Sequence, residues 1–423
     1  MDRTGRRLIF HIDVNSAFLS WEAARRVARG EDDIRLIPSA IGGDRETRTG
    51  IILAKSIPAK KFGVATGEPV SMALHKCPKL VLFGPDFRLY ERCSRAFMDI
   101  CREYAPVMEK YSIDECFLDM TGTGELYPDP VALAHTIKNR IRSELGFTVN
   151  VGIGENKLLA KMASDLEKPD KVHTLFREEI ESKLWPLPVR ELFSVGRSTA
   201  ERLNRACVRT IGDLARLTPA QAQYILGKKL GQQLHDYANG INASPVSDAP
   251  GEAKCFSIST TLERDVSDAA AAKKVLLALS DSVAARMRAD GSRCRCVGVT
   301  IRSNEFKNRS HQRKLERSTD ITQEIYRITA ELFDELWDGQ TPLRLLGISL
   351  SDLDRGEIEQ ETLFFEANEK REKLRSLDHA VDALRVRFGA DTVVRGTNYQ
   401  SKLQVGRKYR AQLDQLAQET DKD

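Results

Sequence analysis

Two short apolar stretches that each lead to carboxylates constrain this chain more than any other feature of its sequence. Residues 8–14 predict a β-strand that carries Asp13 near its end. Residues 107–120 predict two short strands around a turn with the adjacent carboxylates Asp114 and Glu115. If these strands are neighbours in one sheet, Asp13 and Asp114 converge on one point.

Such a group of carboxylates has a chemical consequence. Adjacent carboxylates repel each other, and burial raises the pKa of one of them unless a cation compensates. Mg²⁺ is a suitable cation because it prefers hard oxygen ligands. Two ions ~3.5–4 Å apart can bind both the attacking and the leaving oxygen of an in-line displacement. Taken alone, however, an Asp-Glu pair in a turn is more often a solvated surface feature.

Composition limits the class of protein. A chain of 423 residues predicts two to four domains at roughly 100–200 residues each. With 41% hydrophobic and 30% charged residues, we expect a soluble globular protein and exclude collagen-like and low-complexity chains. No apolar run approaches the ~20 residues that a membrane span needs. The 8 Cys form no C-x-x-C pair, so we expect reduced thiols and a cytoplasmic protein.

The charge is unevenly distributed along the chain. The formal balance is 65 − 61 = +4. Residues 286–317 hold ten Lys or Arg and three acids, and residues 183–216 hold seven and three. Two separate basic segments favour local binding of a polyanion. The alternative interpretation of either segment is a solvated helix face.

The order of predicted elements indicates an α+β chain of several domains. Helices are predicted at 17–29 and 156–166, and a strand at 147–154. Residues 185–240 predict short helices with glycine turns, and the Pro- and Ser-rich residues 241–253 predict a linker. The remaining predicted elements are strands at 257–262, 296–302 and 343–350, helices at 269–289, 322–337 and 371–388, and a disordered stretch over the last dozen residues.

Five motifs in the same order resemble the Y-family translesion DNA polymerases of the DinB/UmuC type. H-I-D-V-N-S-A-F at 11–18 resembles the opening of these enzymes, and Y-S-I-D-E-C-F-L-D at 111–119 resembles their most specific signature. V-G-I-G-E-N-K-L-L-A-K-M-A-S-D at 151–165, followed by Lys168-Pro169, resembles a third conserved block. K-K-F-G-V at 60–64 resembles the fingers element, and 195–214 resembles the helix-hairpin-helix of the thumb. The match is collinear from about residue 8 to residue 353.

This resemblance implies a right-hand-like polymerase fold. The expected parts are a ferredoxin-like palm at 1–182 with small fingers inserted at about 17–78, a helical thumb at 183–240, a linker at 241–253 and an α/β little finger at 254–353. A C-terminal extension follows at 354–423. The implied activity is low-fidelity, template-directed DNA synthesis past damaged bases, without proofreading, from dNTP to a primer 3′-hydroxyl. Implied partners are primer-template DNA and two Mg²⁺ ions, in a monomer that acts on the nucleoid in the cytoplasm.

The resemblance also assigns roles at the active site. Asp13, Asp114 and Glu115 are the implied catalytic metal ligands, and Val14 contributes its backbone carbonyl. Phe18 is the implied steric gate, an aromatic ring that leaves no room for a ribose 2′-hydroxyl.

Further residues are expected to contact the nucleotide. Lys168 is expected at the β- and γ-phosphates, and the backbone N–H of Ser16 near the triphosphate. Lys157 and Lys161 are expected to flank the template side without a catalytic role.

The fingers depart from the family pattern. Many relatives have a Tyr and an Arg at the positions of Ile57 and Lys60, and both contact the triphosphate. Here the hydroxyl is lost, and one ammonium replaces a fork of donors. We expect Lys60 to keep an ionic contact, helped by Arg45 or Arg48.

The resemblance places DNA contacts in two regions and a partner site in a third. Ser194 replaces the first glycine of the usual thumb hairpin. The expected DNA-binding residues of thumb and little finger are Gly196, Arg197, Gly227, Lys228, Arg293, Arg295, Arg302, Arg309 and Arg313. Beyond the little finger, Gln360, Leu363 and Phe364 resemble the Q-x-x-L-F peptide that attaches bacterial polymerases to the sliding clamp.

Two rival functions remain open at this point. The first is a non-catalytic DNA-binding or scaffold protein that lost turnover through the changes at Ile57 and Lys60. The second is a two-metal nuclease or nucleotide cyclase on a related palm. Primer extension and product analysis separate these functions.

Overall fold

The computed structural model describes residues 7–43, 50–249, 251–355 and 365–395, with the backbone alone at 365–368. The proposed clamp-binding peptide at 360–364 and the expected disordered tail lie outside the described residues. The described residues form two compact units, one of residues 7–43 with 50–249 and one of residues 251–355 with 365–395. The division falls inside the predicted linker.

In chain order, the first unit contains eight strands and ten α-helices among its described residues. They are β1 (Ile9–Val14), α1 (Ala17–Ala28), β2 (Ser39–Gly42), β3 (Ile52–Lys55), α2 (Ile57–Lys61), α3 (Val70–Lys76), β4 (Val81–Phe83), α4 (Phe87–Arg102), β5 (Val107–Lys110), β6 (Glu115–Asp119), α5 (Pro130–Leu145), β7 (Val149–Gly154), α6 (Lys157–Asp165), β8 (Val172–Leu175), α7 (Arg197–Arg205), α8 (Ile211–Arg216), α9 (Pro219–Leu226) and α10 (Lys228–Ala238).

The second unit is smaller, and a single long helix ends it. Its elements are β9 (Cys255–Val266), α11 (Ala269–Ala289), β10 (Arg293–Ser303), β11 (Asn308–Thr319), α12 (Thr322–Leu336), β12 (Leu343–Asp354) and α13 (Phe365–Phe388). No helix among the described residues is long and apolar enough to cross a membrane.

The palm is a five-stranded sheet in the order β5-β6-β1-β7-β8, with β1 at its centre. All six residues of β1 are buried. One face of β1, including Phe10 and Ile12, packs into the main core with α1, α4 and α5. The other face carries Ile9, His11 and Asp13 towards α6. Because side chains alternate along a strand, His11 and Asp13 lie on the opposite side of the sheet from the main core.

Two glycines of β7 allow α6 to lie directly on the sheet. A Cβ atom at Gly152 would collide with the carbonyl oxygen of Ala160 and the amide nitrogen of Ser164. A Cβ atom at Gly154 would come within 2.8 Å of the Ala160 nitrogen. This close approach places the lysines on and just after α6 beside the carboxylates of β1 and β6.

We expect Gly152→Ala to destabilise the first unit by about 1–3 kcal/mol or more, because the new methyl group meets backbone atoms that cannot rotate away. Urea denaturation of the full chain, followed by tryptophan fluorescence, measures the change. Gly84→Ala is the matched control, since a Cβ atom there has open space. Equal stability of the two variants would contradict the close packing.

The small fingers sheet has the order β3-β2-β4 and its own core around Ala40, Ile52 and Val70. It extends to Phe83, beyond the predicted boundary near residue 78. Helix α1 was included in the predicted insertion, but its buried residues pack into the palm core.

The thumb helices α7 to α10 share a core with α6, which includes Leu203, Ile211 and Leu234. The predicted linker begins as an ordered segment against the palm. Val246 packs beside Ile9 and Phe117, and the Ser247 N–H donates to Glu109 Oε2 at 3.0 Å.

The little finger is a four-stranded sheet in the order β11-β10-β12-β9, and α11 and α12 pack on one face. The predicted strands and helices of this domain are present, but strand β11 was missed. It is an edge strand whose residues 308–314 are mostly charged or polar and exposed. Its sequence therefore lacks the apolar alternation by which strands are predicted.

Helix α13 confirms the predicted helix at 371–388 and docks on the little finger through charged residues. Arg371 pairs with Glu324 at 2.7 Å, Arg375 with Asp320 at 3.0 Å, and Arg288 with Asp382 at 2.7 Å. The apolar side chains of Leu377, Leu384 and Phe388 are exposed. This helix thus buries mainly its ionic side.

Candidate active site

Strand pairing brings the predicted carboxylates together. In the antiparallel pair β1–β6, Asp13 lies directly opposite Glu115. The Val14 N–H donates to the Asp114 carbonyl at 3.0 Å. Directly opposite residues share one face of a sheet, so Asp13 and Glu115 both lie on the face covered by α6. The two predicted strands are therefore neighbours in one sheet, which places Asp13 beside the turn at 114 and 115.

Asp13 is almost fully buried and pairs with Lys168. Burial raises the pKa of Asp13 to about 6 against the opposing effect of Lys168, and the charges of Glu115 and Asp114 add to the rise. Lys168 also contacts Asp165 at 2.8 Å. Burial lowers the pKa of Lys168, but Asp13 and Asp165 stabilise its ammonium group more strongly. The pKa of Lys168 therefore lies above its ordinary value.

Glu115 is held by two donors on the same oxygen. Lys161 Nζ lies 2.6 Å from Glu115 Oε2, and His11 Nε2 lies 3.2 Å from it. Burial raises the pKa of Glu115, but the hydrogen bonds from His11 and Lys161 outweigh burial and bring it to about 2. Glu115 is therefore a carboxylate at neutral pH.

His11 is completely buried and is fixed at both ring nitrogens. Burial lowers the pKa of His11 despite its bond to Glu115, so the ring is neutral at pH 7. An ionised carboxylate only accepts hydrogen bonds, so Nε2 carries the hydrogen. Nδ1 then accepts from the Ser164 hydroxyl at 2.7 Å.

Asp114 stands in the turn before β6, and the Ser112 hydroxyl donates to its Oδ1 at 2.6 Å. Its backbone carbonyl is bound to strand β1. The side chain is thus held locally, while its backbone is fixed beside Val14.

The oxygen donors fit a hard divalent cation, although the side chains face protein partners in this structure. Within the described ranges, no three His, Cys, Asp or Glu side chains are grouped so that they would hold a metal ion as they stand. Asp13 instead faces Lys168, Glu115 faces Lys161 and His11, and Asp114 faces Ser112. Three carboxylates and the carbonyl of Val14 provide the oxygen ligands that Mg²⁺ prefers.

Phe18 is the second residue of α1, five residues after Asp13, and lies in an aromatic cluster. Its ring stacks on Tyr90 at 4.6 Å between centroids and contacts the edges of Trp21 and Phe87 at 5.9 and 6.4 Å. These contacts hold the Phe18 ring in one place. Ser16 precedes α1 with left-handed backbone angles, φ 50 and ψ 49, and its side chain does not cap the helix.

The fingers residues lie on the surface. Ile57 is exposed at the start of α2, and Lys60 is exposed near its end. Ser56 caps α2 by accepting from the Ala59 N–H at 3.1 Å. Arg45 and Arg48 lie outside the described residues.

The four thumb helices differ in how their N-termini are capped. Helices α8 and α9 begin with capping boxes, at Thr210 and Thr218. Helices α7 and α10 begin at Gly196 and Gly227, which have no side chain to cap the helix. These two glycines and the adjacent Arg197 and Lys228 are the predicted DNA contacts.

The predicted little-finger arginines do not share one face of the sheet. Arg309 and Arg313 lie opposite the core residues Ile301 and Val297, on the face that the helices cover. Arg313 is bound by Glu331 and Glu335 at 2.6 and 2.5 Å. Arg302 lies on the other face, where it contacts Asn308 at 2.7 Å.

The face of the sheet around Arg302, which α11 and α12 do not cover, is polar, and its strands carry closely packed side chains. Gly298 lies between Gln312 and Ser349, and a Cβ atom there would meet the Ser349 hydroxyl at 2.6 Å. Two more predicted residues lie at the start of β10, where Arg295 pairs with Asp354 at 3.3 Å and Arg293 lies opposite Asp354.

Two residues that contact the site were not predicted. His11 lies two residues before Asp13 on a strand, and Lys161 lies seven residues before Lys168. His11 therefore shares a face of β1 with Asp13, and the strand periodicity was the available signal. Lys168 lies beyond the end of α6 at Asp165, so helical periodicity does not link it to Lys161. Lys161, expected on the template side, contacts a predicted metal ligand instead.

Three family models match the chain in order. Residues 12–165 match the impB/mucB/samB family, residues 190–242 match "DNA polymerase-iota, thumb domain", and residues 253–363 match the impB/mucB/samB family C-terminal domain. These ranges follow the predicted palm, thumb and little finger.

Full-length relatives agree with the family models. DNA polymerase IV of Clostridium acetobutylicum is 44% identical over 392 residues, which cover 92% of this chain and 97% of that protein. DNA polymerase IV of Clostridium kluyveri is 36% identical over 400 residues, which cover 92% and 98%. A solved Y-family DNA polymerase chimera of Dbh and Dpo4 matches with a TM-score of 0.71 at 23% identity, over 82% of this chain and 100% of that one.

The predicted fold class and family are therefore confirmed. The chain belongs to the impB/mucB/samB family, the Y-family of DNA polymerases. It is a DNA-directed DNA polymerase with palm, fingers, thumb and little-finger domains. Enzymes of this family generally need divalent metal ions.

Proposed function

We propose that this enzyme copies damaged templates with low fidelity, without proofreading, by adding a dNTP to a primer 3′-hydroxyl at a site for two Mg²⁺ ions. The observation that carries the proposal is the pairing of Asp13 with Glu115 across β1 and β6, with Asp114 one residue away. Carboxylates from two separate parts of the sequence thereby become neighbours in the palm sheet.

The site residues have separate roles in this proposal. Asp13, Asp114, Glu115 and the Val14 carbonyl would hold the ions. When bound, the ions supply charge stabilisation to the attacking and leaving oxygens. Lys168 now pairs with Asp13, and its ammonium would turn to the β- and γ-phosphates when the carboxylate acquires another cation.

Selection of the sugar would depend on Phe18. Its ring is held by Tyr90, Trp21 and Phe87, so it cannot move aside easily for a larger sugar. A 2′-hydroxyl would meet this ring, whereas a deoxyribose carbon would pack against it.

Binding of the triphosphate would use fewer donors than in many relatives. The N-terminal backbone of α1 lacks a side-chain cap at Ser16, and free N–H groups at a helix N-terminus favour phosphate. Lys60 is exposed and would supply a point charge, while Ile57 supplies no hydrogen bond. We therefore expect a weaker affinity for dNTP than in relatives with Tyr and Arg.

In the thumb, DNA phosphates would bind at the starts of α7 and α10. Gly196 and Gly227 leave the first backbone N–H groups uncovered, and Arg197 and Lys228 add positive charge. Contacts of this kind fix the register of the duplex without reading its sequence.

In the little finger, we propose that the open face with Arg302 contacts phosphate, and we exclude Arg313. We expect Arg302→Ala to weaken primer-template binding and to lower the salt dependence of log K by about one phosphate contact. Arg313→Ala should bind nearly as the wild type, because Glu331 and Glu335 already occupy that guanidinium. Fluorescence anisotropy at several salt concentrations measures both, and a larger loss at Arg313 would reverse the assignment.

Single-nucleotide extension of an undamaged primer-template with Mg²⁺ tests the proposed activity. Extension by the templated base supports the polymerase. DNA binding without extension would instead indicate a scaffold, and shortened products would indicate a nuclease. Extension opposite defined lesions then tests the translesion part.

Two parts of the proposal depend on sequence alone. Gln360, Leu363 and Phe364 would attach the enzyme to a sliding clamp, and they lie outside the described residues. A DNA substrate implies action on the nucleoid, by a chain that we expect to be monomeric.

A further inference from the structure

The Lys161 side chain on α6 is enclosed by three residues of the first unit, Glu115, Tyr111 and Phe193. Its Nζ lies 2.6 Å from Glu115 Oε2, and the two side chains are only 14% and 21% exposed. The same ammonium lies over the rings of Tyr111 and Phe193, at 5.5 and 5.7 Å from their centroids. A cation that is enclosed in this way is held in place more firmly than an exposed lysine.

His11 is the second residue that hydrogen-bonds to Glu115. Its Nε2 meets the same oxygen, Oε2, while Ser164 holds its other nitrogen. Lys161 and Ser164 both lie on α6, so this helix positions both donors to Glu115. Among the described residues, no hydrogen bond reaches the other oxygen of Glu115, Oε1.

We propose that Lys161 is a positioning residue, which holds Oε2 of Glu115 so that Oε1 is presented to the metal. The inference rests on the proposed metal site. Partners of metal ligands commonly orient them, and their loss costs about 10–100-fold in metal affinity or activity. Lys161 therefore acts through Glu115 and does not touch the substrate.

The chain provides a matched control on the same helix. Lys157 lies one turn earlier on α6 and is 16% exposed. It binds Glu109 at 2.6 and 2.7 Å and lies 5.0 Å from the centroid of the Phe117 ring. Lys157 thus has the same kind of ion pair and ring contact, but its carboxylate is not a predicted metal ligand.

The test compares Lys161→Met, Lys157→Met and Lys161→Arg in the full chain. Binding of Mn²⁺ is measured by electron paramagnetic resonance in a complex with dNTP and a dideoxy-terminated primer, where no turnover occurs. The concentration of Mg²⁺ for half-maximal extension is measured in parallel.

We expect Lys161→Met to weaken Mn²⁺ binding and to raise the half-maximal Mg²⁺ concentration about 10–100-fold. Lys157→Met should change both values less than about twofold. Lys161→Arg should show a smaller loss than Lys161→Met, because arginine keeps a charged donor at this position. Thermal unfolding checks that the variants fold.

The sign of the effect decides between two roles of Lys161. Removal of a nearby positive charge would by itself tighten cation binding, whereas loss of orientation weakens it. Unchanged or tighter Mn²⁺ binding by Lys161→Met would overturn the proposal, as would an equal loss in Lys157→Met.

Failure of the proposed function looks different. Absence of extension by the wild-type enzyme, under conditions in which it binds DNA and dNTP, would count against the activity. The Mn²⁺ measurement on the unreactive complex would still report on Lys161.

Discussion

Replacement of Asp114 by alanine is expected to lower primer extension at least about a thousandfold and to leave binding of primer-template DNA nearly unchanged. Asp114 adjoins the Asp13–Glu115 pair and is a proposed ligand of the metal ions. Stabilisation of charge by such ions supplies several kcal/mol, and each ~1.4 kcal/mol is a factor of ten in rate. Single-turnover extension and fluorescence anisotropy measure the two quantities.

The control for this variant is Ser112→Ala. Ser112 donates a hydrogen bond to Asp114, and its loss keeps the carboxylate, so we expect a much smaller decrease in rate. Retained extension by Asp114→Ala would remove Asp114 from the site. A large loss of DNA binding would show that the substitution disturbs the fold and not the chemistry.

The sequence predicted the centre of the palm well because its strands have unambiguous patterns. β1 is buried along its whole length, and β5 and β6 flank a turn of four residues with no apolar run. Asp13 lies near the end of β1, Asp114 lies in the turn and Glu115 begins β6, and pairing of β1 with β6 places Asp13 opposite Glu115. The motifs supplied the order of the domains, which the family models confirm.

Other features could not be predicted because they depend on contacts between distant segments. β11 is an edge strand rich in charged residues, and its Arg313 pairs with Glu331 and Glu335 of α12. Its composition is therefore the same as that of a solvated surface segment. The linker segment around Val246 is held by Glu109, which lies 138 residues from Ser247. Lys161 and Lys157 appear equivalent in sequence, and only the fold shows that one faces Glu115 and the other Glu109.

Replacement of Phe18 by alanine is expected to reduce discrimination against ribonucleotides by about 100-fold or more. A hydrophobic pocket rejects an added hydroxyl by about this factor even when the hydroxyl fits, and the alanine side chain would remove the apolar ring that also occupies the space. The ratio of kcat/KM for dNTP to that for the matching rNTP measures the effect. Tyr90 and Trp21 should keep the surrounding cluster intact, because they also contact each other at 5.8 Å.

Phe18→Leu separates the size of the side chain from its aromatic character. Leucine keeps most of the volume under the sugar but loses the stacking contact with Tyr90. If steric exclusion alone sets selectivity, Phe18→Leu should discriminate nearly as well as the wild type. If the fixed position of the ring is needed, Phe18→Leu should discriminate against ribonucleotides less than the wild type and more than Phe18→Ala, because an unstacked leucine can rotate away. Unchanged discrimination in Phe18→Ala would mean that another residue excludes the 2′-hydroxyl.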